Sequence, residues 1–181
     1  MPNTKTICKR YHPAWKLLLI IAILATACGG RTTPQAEGAY RALKRIEGAT
    51  AVGVSKMKYD ELLQNAAAEL LILADLTPNS QDTLTLRHYQ AAIKIYKDAG
   101  ELWGEEISGA RYGWIPEGKI YLESAGRRIA QTYHLSTDTV TASYETKFNV
   151  VSKGAISELW QRAGTSVQAG DSLIVARLRK M

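Results

Sequence analysis

An uninterrupted apolar run, Leu17 to Ala27, follows an opening segment that carries Lys5, Lys9, Arg10 and Lys16 and no acid. As a helix its eleven residues span about 16 Å, too short for a hydrocarbon core of about 30 Å. From Pro34 the pattern changes to helical spacing. Ala36, Ala39, Tyr40, Leu43 and Ile46 recur every three or four residues, with Thr33 placed to cap the helix and Pro34 at its first position. Gly48 and Gly53 loosen that pattern. A second helix, capped near Ser55, puts Tyr59, Leu62, Leu63, Ala66, Leu70 and Leu73 on one side, and Ala67, Ala68, Leu71, Ile72 and Ala74 widen it. Pro78 closes it, because proline cannot continue a helix interior. A third begins near Asp82, with Leu86, Tyr89, Ala92, Ile93, Tyr96, Ala99, Trp103 and Ile107 in register. Two long amphipathic helices joined by a short turn predict an antiparallel pair.

Beyond Ser108 the periodicity weakens. Residues 109–118 contain three glycines and a proline around Tyr112, Trp114 and Ile115, which is loop composition. Residues 121–133 fit a short helix through Leu122, Ala125, Ile129 and Tyr133, and 138–148, rich in Thr, Val and Tyr, fit extended chain or a short strand. Ser152 is placed to cap a helix with Ala155, Ile156, Leu159, Trp160 and Ala163 on one face, which Gly164 and Gly170 interrupt before a last turn or two over 171–180. The fold class expected is mainly α: a small bundle of antiparallel long helices with an irregular segment near 109–150.

The apolar run has the length of an export signal, with its positive flank retained on the cytoplasmic side. Leu24-Ala25-Thr26-Ala27-Cys28 resembles the lipobox of bacterial lipoproteins, apart from Ala25 where leucine is commonest. That resemblance, covering residues 1–28, implies lipidation of the Cys28 thiol, cleavage just before it and a lipid anchor in the membrane. In that class Gly29, rather than Asp, after the cysteine implies onward sorting to the periplasmic face of the outer membrane in a diderm host. Residues 1–27 would then be the signal peptide, 28–33 a polar tether and 34–181 one helical domain. Over residues 36–107 and 152–163 the chain is also similar to uncharacterised exported helical proteins of bacteria, which implies no activity.

Composition changes meaning in this light. The chain of 181 residues carries 23 Lys+Arg against 17 Asp+Glu, a net charge of +6. Four of those cations and no acid lie in residues 1–27, so the remainder carries only +2. The short basic stretches Arg127-Arg128 and Arg177-Leu178-Arg179-Lys180 have no aromatic interleaving, so no nucleic-acid partner is expected. Cys8 leaves with the signal and Cys28 is committed to lipid, which excludes a disulfide, a cysteine nucleophile and a Cys-based zinc site from the remainder.

Candidates for chemistry are few. Gly170-Asp171-Ser172-Leu173 spells the GDSL string of a serine-hydrolase family, yet only eight residues follow it and none is histidine. The plain alternative is a turn in which Asp171 caps a terminal helix. His134, Ser136 and Asp138 offer the residue types of a triad, but in a polar stretch. Glu101, Glu105 and Glu106 crowd the end of the third helix, where a solvated end relieved by Arg111 is the expectation. No metal site, cofactor or catalytic set emerges. Trp103 and Trp160 read as core. Arg111, Tyr112, Trp114 and Ile115 form the most suggestive segment, since aromatics beside an arginine favour recognition. The plain alternative is that Trp114 and Ile115 cover one end of the bundle. The function expected is non-enzymatic: binding an envelope protein partner through that loop or a helical surface. The alternative is a small-ligand binder or accessory subunit, with a cavity between the second, third and last helices.

Overall fold

The computed structural model describes residues 34–76, 80–141 and 145–178, with side chains described within 36–76, 83–141 and 145–173. The export signal, Cys28 and the tether expected over residues 1–33 lie outside the described residues. The elements run α1 (Pro34–Val52), α2 (Lys56–Asp75), α3 (Ser80–Gly109), β1 (Lys119–Tyr121), α4 (Ser124–Tyr133), β2 (Thr137–Thr141), β3 (Lys147–Ser152) and α5 (Gly154–Leu178). The protein is mainly helical, as its periodicity predicts. Among the described residues no helix is long and apolar enough to cross a membrane.

Ser55 caps α2, its hydroxyl accepting the Lys58 N–H at 3.3 Å. The helix packs antiparallel to α1, with Gly38 against Glu69, and its other side meets α3. Ala68, Leu71 and Ile72 nevertheless stay exposed, so the broad apolar side of α2 is only partly covered. The most extensive interface joins α3 and α5, which run antiparallel: Tyr89 meets Asp171, and Trp103 meets Trp160. Neither Gly164 nor Gly170 interrupts α5, because both face packed neighbours that hold the helix.

The segment expected to be irregular contains an antiparallel sheet of order β1-β3-β2. Its registers set Ile120 opposite Val151 and Tyr121 opposite Val150, with Asp138 opposite Val150 on the other side. Alternation along the strands sends Ile120 and Val151 to the helices and Tyr121, Val150 and Phe148 to the outer face.

Two buried clusters result. One joins Ala36, Ala39, Leu43, Ile46, Tyr59, Ala66, Leu73, Tyr89 and Tyr96 with Val167 of α5. The other joins Leu102, Ile120, Leu122, Ile129, Val151, Ile156 and Leu159 beneath the sheet. Both α3 and α5 contribute to each. Trp103 and Trp160 are half-buried where the two meet, edge-on at 5.6 Å and each packed on Tyr59.

Candidate functional site

After α3 the chain closes in consecutive tight turns. The Tyr112 N–H donates to Gly109 O at 2.8 Å, and the Ile115 N–H donates to Tyr112 O at 3.2 Å. These turns carry Trp114 onto the outer face of the sheet, where it stacks on Phe148 at 4.3 Å and meets Tyr121 edge-on at 5.5 Å. Tyr112 stacks on the free side of Trp114 at 6.0 Å. Val150, on the same face, is fully buried, and Lys119 pairs with Asp138 across it. Tyr112, nearly half exposed, and the half-buried Trp114 present an aromatic surface held by ring-to-ring contacts.

The expected loop thus divides. Tyr112 and Trp114 join the aromatic face, Ile115 turns back against Gly109, and Arg111 is exposed. The cover that the plain alternative placed over an end of the bundle lies over the sheet instead, because β1 follows directly after the turn and pairs with β3. Tyr121 and Phe148 complete the face. Their sole sequence signal is aromatic character at strand positions, which becomes informative only with the β1–β3 register.

The carboxylates at the end of α3 each have a partner, which corrects the expectation of a solvated cluster relieved by Arg111. Glu101 pairs with Arg128 at 2.6 Å, and Glu106 with Lys153 at 2.9 Å. Glu105 reaches across to the start of α4 and accepts the N–H groups of Gly126 at 2.8 Å and Glu123 at 3.2 Å. It therefore satisfies two amide donors that the helix start leaves open, with no side-chain cap from Glu123 itself. Burial raises its carboxyl above the ordinary range, and those two bonds offset only part of that rise. A side chain at Gly126 would collide with this carboxylate.

Two turns before Glu105 on α3, buried Asp98 accepts the Tyr133 hydroxyl at 2.6 Å and pairs with Arg128 at 3.0 Å and Lys94 at 3.4 Å. Burial pushes its carboxyl up, but Tyr133, Arg128 and Lys94 more than offset that and hold it below the ordinary range. Arg162 of α5 donates to the Tyr133 carbonyl at 2.8 Å. These contacts fasten α4 to the long helices.

Asp171 lies inside α5 rather than capping a helix, which corrects the expectation for the GDSL string. Its carboxylate accepts the Tyr89 hydroxyl at 3.0 Å and pairs with Lys44 at 2.8 Å, tying α1, α3 and α5 together. Ser172 bonds back to the Ala169 carbonyl of its own helix at 2.8 Å. His134 is an exposed residue in the left-handed conformation that ends α4, and Asp138 is engaged by Lys119. Among the described residues no three His, Cys, Asp or Glu side chains form a metal-sized cluster.

An open cleft of about 470 Å³ runs between α1 and α5, lined by Glu47, Thr50, Tyr96, Trp160, Gln161 and Gln168. It involves α1 rather than α2, unlike the cavity expected from helix spacing, because α1 packs beside α5. Compared with protein-family models, curated proteins and solved structures, the chain matches none of them.

Proposed function

We propose that this chain is a lipid-anchored, non-enzymatic envelope protein that binds a protein partner through the aromatic outer face of its sheet. The observation that carries the binding part is the ordered stack of Tyr112, Trp114 and Phe148, in which Tyr112 is exposed and Trp114 and Phe148 are half-buried. Large aromatic surface that is already ordered is well suited to binding, because little side-chain entropy is lost on contact. The anchor part rests on the charged start, the eleven-residue apolar run and Cys28. The test is a photo-crosslinking residue at Tyr112 in the native host, with Val52 as the control position. A partner-specific adduct at position 112, lost on adding Arg111→Glu and Trp114→Ala with helicity unchanged, supports the reading. Equal adducts at both positions sink it. For the anchor, labelled fatty acid should enter the protein and disappear in Cys28→Ala.

A second reading, a small-ligand accessory protein, is favoured by the cleft between α1 and α5, where the half-buried Trp160 offers aromatic surface beside Glu47. A thermal-shift screen of envelope metabolites, repeated with Thr50→Trp to fill the cleft, separates it from the first.

A further inference from the structure

We infer that the end of the bundle formed by the α2 C-terminus and the α3 N-terminus rests on the lipid bilayer, its exposed leucine and isoleucine side chains inserted among the acyl chains. This rests on the anchor reading above, and deepens it by giving the domain an orientation. Leu71, Ile72, Leu76 and Leu84 are exposed, Leu71 by 68% and Leu76 by 53%. The remaining exposed large apolar side chains among the described residues, Val52, Met57, Ile107 and Tyr112, lie away from that end.

Chain geometry places the tether at the same end. Gly38 of α1 touches Glu69 of α2, and the helices run in opposite directions. Pro34 is therefore about 6 Å further along α1, and Leu73 about 6 Å further along α2 toward the same end. Only five residues separate Cys28 from Pro34, a reach of about 20 Å when fully extended. An acyl group on Cys28 thus enters the membrane beside Leu71, Ile72, Leu76 and Leu84, which in any other orientation would face water. Charges nearby are balanced: Arg41 pairs with Glu37, and Asp75 and Arg87 are of opposite sign. Insertion of apolar side chains rather than attraction to anionic headgroups is the expected mode. From Leu84 to Gly109, α3 rises about 38 Å, so the aromatic face is held well clear of the bilayer.

The full chain, matured in its host and purified, tests this in phosphatidylcholine vesicles containing brominated phosphatidylcholine. Ile72→Cys and Val52→Cys each carry a thiol-linked fluorophore. Acylated Cys28 leaves the introduced thiol as the one free site once Cys8 is removed with the signal. Acylated protein whose position-72 probe is quenched about fivefold more than the position-52 probe, equally at low salt and 0.5 M salt, is the result expected. Acylated protein with equal quenching at the two positions overturns the orientation and leaves the anchor reading standing. A free thiol at Cys28 overturns both. Unquenched position-72 probes, together with unlabelled Ile72→Cys protein that a bismaleimide links into dimers through the two copies' free thiols, overturn it in favour of a pairing surface, and quenching that vanishes at 0.5 M salt overturns the apolar insertion. Circular dichroism of each variant confirms that the helices persist.

Discussion

The two buried regions of this protein are built from different materials. The cluster among α1, α2, α3 and α5 is dominated by alanines and by three fully buried tyrosines, Tyr59, Tyr89 and Tyr96. Small residues let the helices approach closely, and the tyrosines fill what remains while giving polar ends to fixed acceptors. The Tyr59 hydroxyl donates to the Tyr96 carbonyl at 2.6 Å, and Tyr89 to Asp171. Burial, and then Asp171, push the Tyr89 hydroxyl well above its ordinary range, so it stays a donor. The cluster beneath the sheet is aliphatic, and short elements contribute one or two residues each. Polar contacts at its edge, through Asp98 and Glu105, hold α4 in place. One region is specified by repeated small residues and tyrosines along long helices, the other by single residues from several short elements.

The sharpest way to break this contrast is a cavity where the regions share a helix. Leu159 is fully buried on α5 beneath the sheet. Leu159→Ala should lose about 2–5 kcal/mol, measured by urea unfolding. Because α3 and α5 run through both clusters, circular dichroism and tryptophan fluorescence should report one shared transition. Separate transitions would make the sheet region an independent unit.

Close approach sharpens the comparison next. A Cβ at Gly170 would lie 2.5 Å from the ring of buried Tyr89, whereas nothing lies within 4 Å of one at Gly104. Gly170→Ala should cost about 1–3 kcal/mol by overpacking. Gly104→Ala, within α3, should stabilise by up to about 1 kcal/mol through helix propensity. Equal effects in thermal melts would mean that the Tyr89 contact is not tight.

Asp98 tests the polar fastening of α4. Asp98→Ala leaves the Tyr133 hydroxyl and Arg128 without their buried acceptor and should cost about 1–3 kcal/mol. The wild-type carboxyl sits below its ordinary range, so the unfolded chain binds the proton more tightly and stability falls as pH drops through the depressed value. Acid titrations of wild type and Asp98→Asn should therefore begin to approach each other near the ordinary value of about 4 and meet only below the depressed one.

The smallest effect belongs to Glu105. Glu105→Ala should cost about 1 kcal/mol by uncapping α4, while Glu105→Gln keeps an acceptor and should be near neutral. With its carboxyl raised, the folded chain binds that proton more tightly. Wild type should lose stability as pH rises from the ordinary glutamate value through the raised one, and Glu105→Gln should lack that slope. An unchanged slope in the glutamine variant would assign it to another group.

Legibility in the sequence followed the same divide. The faces of α1, α3 and the first half of α5 read directly, since Leu43, Ile46, Tyr89, Ala92, Tyr96, Leu159 and Ala163 recur at helical spacing and are buried. The width of the α2 face misled: Leu71 and Ile72 have the period of a buried side, yet among the described residues no helix covers them. The candidate loop was legible as aromatic, but its cover of the sheet was not, because Phe148 is 34 residues from Trp114. Glu105 and Asp171 read as a solvated end and a cap, when each accepts donors from elements far along the chain.

By itself the sequence determined the long helices and their inward faces, because helix formation answers to residues three and four apart. It also determined the near-neutral charge beyond residue 27 and the scarcity of chemistry-bearing residues. Only tertiary structure decided the strand register, the partners of Asp98, Glu105 and Asp171, and which apolar residues stayed outside. Those depend on segments tens of residues apart meeting in space, and no local spacing records that meeting.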